Sequence, residues 1–248
     1  MLDLISPLFR NLYENTGINF IIFYDEYEYN RFINGIFNSV ELIFLSVLLS
    51  LFIGVMGAWA QGSNHRSVRW AVGAYIQIFR NTPIMVQLLF FYFGLGHFTP
   101  QVDMGGYQQP LITAFAWAVI SIGIFGGAFN AEIFRSGVEA VPKSTHEAAE
   151  SLGFTRFAIY FYITLPLAFR ISLPALTNNI VSLAKTSSLA YVISVQEVTY
   201  TLNQIWADNL NVTEMMSVLF VYYIVVVSVL AALMHRLERA LALPGFGK

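Results

Sequence analysis

The sequence contains no cysteine and few charged residues, and both shortages limit what the chain can be. Without cysteine there is no disulfide framework, no thiolate metal site and no cysteine nucleophile. Charged residues make up only 11% of the 248 positions, whereas hydrophobic residues make up 56%, a balance typical of a membrane protein. The net charge of −2 argues against a nucleic-acid partner.

Sequence patterns for nucleotide and metal chemistry are also missing. There is no phosphate loop of the form G-x-x-x-x-G-K-[ST] and no H-E-x-x-H pair, so we predict that the chain neither hydrolyses ATP nor holds a metal or other cofactor. The four histidines are not at ligand spacing, and we interpret each as a solvated residue in a loop or at the end of a span. They are His65, His97, His146 and His235.

Five apolar segments are long enough to cross a bilayer, which requires about 20 residues. They run from about 32 to 60, 70 to 94, 111 to 134, 167 or 174 to 195, and 215 to 234. The second segment contains Arg80-Asn81-Thr82-Pro83, where we expect a break because proline removes a backbone hydrogen bond. The predicted fold is all-α, a polytopic bundle of about five transmembrane helices. Its membrane domain covers 32–234, between an N-terminal segment 1–31 and a tail 235–248.

Lysine and arginine are unevenly distributed among the loops. Loops 96–110 and 196–213 contain neither residue, whereas loop 61–69 contains two. The central loop 135–165 and the tail hold six more, namely Arg135, Lys143, Arg156, Arg236, Arg239 and Lys248, and the N-terminal segment holds Arg10 and Arg31 as a small exception. Since cytoplasmic loops carry an excess of lysine and arginine, we predict an external N-terminus and a cytoplasmic central loop and C-terminus. We also expect loop 196–213 to include a short helix.

The central polar stretch, EAVPKSTHEAAESLGFTRFAIYFYITLP, predicts two short helices joined by a hinge. Ser144 and Glu147 have the spacing of a capping box at the start of the first helix. Gly153 is placed to end that helix in a left-handed conformation, and Thr155 to cap the second. Pro166 is predicted to end the second helix.

This stretch carries a family resemblance. The run EAAESLG resembles the EAA loop of ABC-transporter permease subunits. The longer segments AEIFRSGVEAVPKSTHEAAESLG, FRNTPIMVQLLFFYFGL and LAKTSSLAYVIS resemble recurrent segments of the bacterial polar amino acid uptake permeases, and they lie between Phe79 and Ser194. The resemblance implies the permease subunit of an ATP-driven importer of polar amino acids in the bacterial cytoplasmic (inner) membrane.

The resemblance also implies partners. A permease of this family is expected to form a dimer in the lipid bilayer, with itself or with a sister permease. Two ATPase subunits would bind ATP and Mg²⁺, and an external solute-binding protein would deliver the amino acid. The first helix of the central loop would couple to the ATPase. The predicted coupling residues are Glu147, Ala148, Ala149, Leu152 and Gly153, of which Ala148, Ala149 and Leu152 share one face by their spacing.

Polar residues within or beside the spans are candidates for the substrate pathway, because a polar group inside a membrane is costly. The predicted pathway residues are Arg80, Thr82, Glu132, Asn178, Asn179, Lys185, Ser187 and Glu197. Arg80, together with the helix N-terminus near Pro83, could bind the carboxylate of a substrate amino acid. Either Glu132 or Glu197 could bind its ammonium group. Arg80 is equally well placed to reach lipid phosphates, and the asparagine pair to bond neighbouring helices.

Three other functions remain open from the sequence. The importer could carry a related solute such as an opine. An ion-coupled secondary transporter or channel would need a carboxylate pair deep in the bundle, and the acidic residues here lie near span ends. A membrane scaffold or receptor would not need the polar fourth span. The sequence alone identifies neither the amino acid nor the partner permease.

Overall fold

The computed structural model describes residues 2–103, 105–106 and 108–241. Within them, the α-helices in chain order are α1 Leu2–Thr16, α2 Glu26–Gln61, α3 Arg66–Asn81, α4 Ile84–Leu89, α5 Ala114–Glu139, α6 Lys143–Ser151, α7 Arg156–Ile159, α8 Leu165–Thr186, α9 Val198–Asn209 and α10 Val212–Leu241. π-Helical stretches follow α4 over Phe90–Leu95 and α7 over Tyr160–Thr164. Short 3₁₀ helices cover Ile21–Phe23, Gly96–Phe98 and Ser187–Ile193. Strands β1 Gln101–Asp103 and β2 Gln108–Pro110 form an antiparallel hairpin in which Val102 pairs with Gln109.

The helices fit the predicted number of spans. Among the described residues, four helical runs are long and apolar enough to cross a membrane, namely Glu26–Gln61, Ala114–Glu139, Arg156–Ile193 and Val212–Leu241. The pair Arg66–Asn81 and Ile84–Phe98, bent by 109°, counts as a fifth if both halves form one span. The all-α fold with about five spans is confirmed, as is the break at Pro83. The 36 residues of α2 correspond to roughly 54 Å, more than the ~30 Å hydrocarbon core.

Several helix boundaries differ from the sequence prediction. Helix α1 lies within the segment 1–31, and α2 already begins at Glu26 because the Asp25 carboxylate accepts a hydrogen bond from the Glu28 backbone N–H at 3.0 Å. Pro166 does not end a helix, since the helical run continues to Ile193. The π-helical stretch directly before this proline widens the turn, which makes room for its ring. Helix α10 extends into the predicted tail, whose Lys248 lies outside the described residues.

The chain divides into two compact units. The first unit comprises Met1–Leu45, Leu88–Val119 and Ala184–Ser228, and the second comprises Ser46–Gln87, Ile120–Leu183 and Val229–Lys248. In the first unit, α9 is the short helix expected in loop 196–213. Its buried residues Val198, Leu202 and Ile205 follow helical periodicity and pack in one apolar cluster with Ile22 and Met215.

In the second unit, α2 and α5 pack through small residues. A Cβ atom added to Gly57 would lie 2.8 Å from the Cβ of Ala131, and one added to Gly123 would lie 2.6 Å from a methyl carbon of Leu49. Both distances are shorter than carbon atoms tolerate, so glycine is required for this approach. Membrane helices use small residues in this way to bring their backbones together.

Candidate functional site

The central loop forms two helices, as predicted, but the first begins differently. Helix α6 starts at Lys143 directly after Pro142, so Ser144 lies inside the first turn and does not form the predicted capping box with Glu147. Pro142 itself is the N-cap residue, with an extended ψ of 138°, and its carbonyl accepts a hydrogen bond from the Thr145 backbone N–H at 3.0 Å. The prediction for the second helix is confirmed, because the Thr155 hydroxyl accepts a hydrogen bond from the Ala158 backbone N–H at 3.3 Å.

The end of α6 is a complete left-handed cap. Gly153 has φ +83°, a conformation that favours glycine. Its backbone N–H donates to the carbonyl of Glu150 at 2.9 Å, and the N–H of Phe154 donates to the carbonyl of Ala149 at 3.2 Å. These two bonds define a Schellman motif, which confirms the predicted role of Gly153 in ending the helix.

The predicted coupling residues do not all face the same way. Glu147, Ala148, Leu152 and Gly153 are exposed, and the side chain of Leu152 is 78% exposed. Ala149 is only 3% exposed, so it packs inside this chain. The expectation that it shares an exposed face with Ala148 and Leu152 is therefore wrong. Four of the five residues form a surface at the end of α6, which we call the α6 surface.

His146 is not the solvated residue that the sequence indicates. Its Nδ1 lies 3.3 Å from the carbonyl oxygen of Pro142, and its Nε2 lies 2.9 Å from the hydroxyl of Thr164. A carbonyl can only accept, so Nδ1 carries the proton of the first bond. Thr164 is 2% exposed. His146 thus joins the start of α6 to the residue just before α8.

A chain of neutral polar groups connects three spans of the second unit. The Asn179 side-chain amide on α8 donates to Asn130 Oδ1 on α5 at 2.8 Å and to the Gly126 carbonyl at 3.2 Å. The Asn130 amide donates to the Ser50 hydroxyl on α2 at 3.1 Å. Asn130 is fully buried and Asn179 partly buried, whereas Asn178 is exposed. The interpretation that an asparagine bonds neighbouring helices is therefore confirmed for Asn179, while the sequence analysis missed Asn130.

The break between α3 and α4 is stabilised by a residue that the sequence analysis also missed. The Gln87 side-chain amide donates to the carbonyl of Phe79 at 2.8 Å and to that of Thr82 at 2.9 Å, and Gln87 is 5% exposed. The hydroxyl of Thr82 donates to the Ile78 carbonyl at 2.7 Å. These bonds satisfy carbonyls that lose their helical donors next to Pro83. Thr82, predicted for the pathway, is half-buried and contributes to this backbone cap.

Arg80 and Glu132 belong to an ionic cluster on α3 and α5. The Glu132 carboxylate accepts two hydrogen bonds of 3.1 Å from the Arg135 guanidinium, and Arg80 Nη1 lies 3.7 Å from Glu132 Oε2. Arg135 also donates to Glu139 at 2.6 Å. The Arg80 guanidinium lies 5.2 Å from the centre of the Phe129 ring, within the range of a cation–π contact. Arg80, the predicted partner of a substrate carboxylate, is therefore already paired with Glu132.

The other predicted pathway residues lie in the first unit. Lys185 is exposed, and Ser187 is buried with its hydroxyl donating to a backbone carbonyl one turn earlier at 2.8 Å. Glu197 is fully buried and caps α9, because its carboxylate accepts from the backbone N–H groups of Thr199 and Tyr200 at 2.9 and 2.8 Å. Burial raises the pKa of Glu197 to about 7, even though these bonds favour the charged form.

The chain resembles known transport permeases over most of its length. Residues 32–243 match the model of a family described as "Binding-protein-dependent transport system inner membrane component". The L-cystine transport system permease protein TcyB of Bacillus subtilis (strain 168) is 32% identical over 209 residues, which cover 84% of this chain and 85% of that protein. The glutamine transport system permease protein GlnP of Escherichia coli (strain K12) is 36% identical over 192 residues, covering 77% and 81%.

A solved structure gives the same result. The crystal structure of an amino acid ABC transporter with histidines contains a chain with a TM-score of 0.75 and 30% identity, covering 85% of this chain and 94% of that one. The predicted resemblance to amino acid ABC permeases is confirmed, and so is the reading of this chain as a transport subunit whose ATPase is a separate protein. The family match, the relatives and the fold agree that this chain belongs to the binding-protein-dependent transport system inner membrane components.

Proposed function

We propose that this chain forms the translocation pathway of an ATP-driven importer of polar amino acids and couples to its ATPase through the α6 surface. The observation that carries the coupling proposal is the exposure of Leu152 beside Gly153, at the end of a helix that is anchored by Ala149. Phe154, two residues after Leu152, is 46% exposed, and a cluster of exposed apolar side chains in a loop outside the spans is typical of a contact with another protein. The relatives from the L-cystine and glutamine transport systems support an amino acid as the transported molecule.

The proposed assembly has two ATPase subunits, a second permease that is either this chain or a sister, and an external solute-binding protein. Closure of the ATPase pair around ATP would displace α6 and favour the outward-facing state of the permeases. For this to work, ATP and the loaded binding protein must favour a different conformation from the empty resting protein. The proposed topology places the N-terminus outside and the C-terminus in the cytoplasm, as the distribution of lysine and arginine predicts.

The substrate pathway is proposed to involve the polar residues of the spans in two ways. Asn178 is exposed on the same helix as Asn179 and is the member of the pair that is free to face a passing solute. Arg80 and Glu132 lie 3.7 Å apart with 38% and 27% of their side chains exposed, so water and a zwitterionic solute can reach both. An amino acid carries the same two charges and can exchange partners with this pair.

The coupling proposal is tested by placing a charge on the α6 surface. Leu152→Asp is expected to weaken ATPase binding by about 2 kcal/mol, or roughly 30-fold, as for other central interface residues. Leu210→Asp is the matched control, because Leu210 is 89% exposed but lies between α9 and α10 on the proposed external side. ATPase co-purification that is unchanged in Leu152→Asp would refute the docking surface.

The transported molecule is tested by uptake of a panel of labelled amino acids, with an opine included, in cells with and without this chain. The presumed partners are co-expressed in both strains. Loss of uptake for one charge class identifies the substrate group. Uptake that persists without this chain, or with an inactivated ATPase, would contradict the proposed import function.

A further inference from the structure

His146 and Thr164 form a hydrogen bond between α6 and the residue that directly precedes α8. The imidazole bonds the Pro142 carbonyl through Nδ1 at 3.3 Å and the Thr164 hydroxyl through Nε2 at 2.9 Å. Since Nδ1 carries the proton in the neutral ring, Nε2 accepts the hydroxyl proton of Thr164. One side chain therefore links the residue preceding α6 to the residue preceding α8.

The two partners of this bond are at least partly shielded from water. Thr164 is 2% exposed, and His146 is half-buried. A hydrogen bond that is shielded from water is electrostatically stronger than one in bulk solvent. The bond therefore fixes the orientation of α6 relative to α8, which apolar packing alone specifies less strictly.

Thr164 also ends the π-helical stretch Tyr160–Thr164, directly before α8. π-Helical turns occur often at functional sites and interrupt the regular hydrogen bonding of a helix. Helix α8 carries Asn179, which bonds Asn130 on α5. The bond between His146 and Thr164 is thus one polar link from α6 to the helix that carries Asn179.

We propose that His146 is a positioning residue that transmits displacement of α6 to α8. The inference rests on the proposed coupling of the α6 surface to an ATPase. With the hydrogen bond to Thr164 in place, the ATPase moves α6 and the start of α8 as one body. Without this hydrogen bond, the ATPase displaces α6 but does not displace α8 to the same extent, so ATP is hydrolysed without transport.

The test uses the complex of permease, ATPase and solute-binding protein reconstituted in lipid vesicles. The variants are His146→Ala, Thr164→Val, the double variant, His146→Gln and His146→Asn. Thr164→Val keeps the shape of the side chain and removes only the hydroxyl, so it preserves the packing of the fold. A glutamine amide reaches the position of Nε2, whereas an asparagine amide reaches only that of Nδ1.

Three quantities are measured, namely ATPase co-purification, the ATPase rate with loaded binding protein, and amino acid uptake per ATP hydrolysed. We expect unchanged co-purification and an approximately fivefold loss of uptake per ATP in His146→Ala and Thr164→Val, the effect of one hydrogen bond. The double variant should lose no more than either single variant, since both remove the same bond. His146→Gln should restore uptake per ATP, and His146→Asn should not.

The results that overturn the inference are equally specific. Normal uptake per ATP in Thr164→Val, or losses that multiply in the double variant, would show that the bond transmits nothing. A failure of the coupling proposal itself has a different signature, which is full ATPase co-purification with Leu152→Asp. The two failures are therefore distinguished by which variant departs from expectation.

Discussion

The adjacent residues Asn178 and Asn179 provide a matched pair of substitutions. Asn179→Ala removes hydrogen bonds of 2.8 Å to Asn130 and 3.2 Å to the Gly126 carbonyl. Asn178→Ala removes the same chemical group one position earlier, from an exposed side chain. Both variants change the helix propensity of α8 equally, so the difference between them reports the contacts of Asn179 alone.

The expected magnitude follows from the number of bonds. Hydrogen bonds between membrane helices contribute about 0.6 kcal/mol each on average and about 1.7 kcal/mol at most. Two bonds therefore give a loss of about 1.2 kcal/mol, with an upper limit of roughly 3.4 kcal/mol. For Asn178→Ala we expect a change within about 0.5 kcal/mol, as for other exposed positions.

The assay is equilibrium unfolding of the purified chain in mixed detergent micelles. A cycle with Asn130→Ala, Asn179→Ala and the double variant isolates the amide–amide bond, for which we expect a coupling free energy of about 0.6 kcal/mol. Equal destabilisation by Asn178→Ala and Asn179→Ala, or a coupling free energy of zero, would refute the assignment of Asn179 to helix contacts.

Three further predictions concern topology, pH and the broken span. Because the chain has no cysteine, Leu152→Cys should react with a membrane-impermeant maleimide only from the cytoplasmic side and Leu210→Cys only from outside; the reverse labelling would contradict the topology. Burial raises the pKa of Glu197 from 4.5 to about 7, so its neutral form is favoured in the folded state and stability should fall as pH rises from 4.5 to 7, by up to about 3 kcal/mol. In Glu197→Gln this part of the pH dependence of unfolding should vanish. Gln87→Leu leaves two backbone carbonyls without their donor and should lower the free energy of unfolding by about 1–3 kcal/mol, whereas the exposed Gln77→Leu should change it little.

Features that depend on neighbouring residues could be predicted from the sequence. Gly153 and Thr155 were identified because a C-terminal glycine and a capping threonine act within one turn. The capping box at Ser144 and Glu147 was wrong for a related reason, since Pro142 starts the helix earlier than the serine indicates. The predicted end at Pro166 failed because a π-helical turn, which has no sequence signature here, accommodates the proline.

Features that depend on distant partners could not be predicted. Asn130 and Gln87 are polar residues within predicted spans, and that position is the only signal that marks them. The hydrogen-bond partners of both residues depend on which helices pack together, and the sequence alone does not specify that arrangement. His146 was misinterpreted because a lone histidine in a loop is normally hydrated, and Thr164 lies 18 residues away.

The amide chain through α2, α5 and α8 has a consequence for how the protein is made. Asn130 bonds Ser50, which is synthesised 80 residues earlier, and Asn179, which is synthesised 49 residues later. At a synthesis rate of about 5–20 residues per second, Asn179 is added to the chain roughly 2–10 s after Asn130. The side-chain oxygen of Asn130 has no donor from Asn179 until then. During that interval a polar group enters the membrane without its final partner, at a free-energy cost that lipid cannot relieve. Substitution of Asn179 leaves the Asn130 side-chain oxygen without this donor permanently. We therefore expect the substitution to lower the amount of protein in the membrane, even where the protein that remains still transports its substrate.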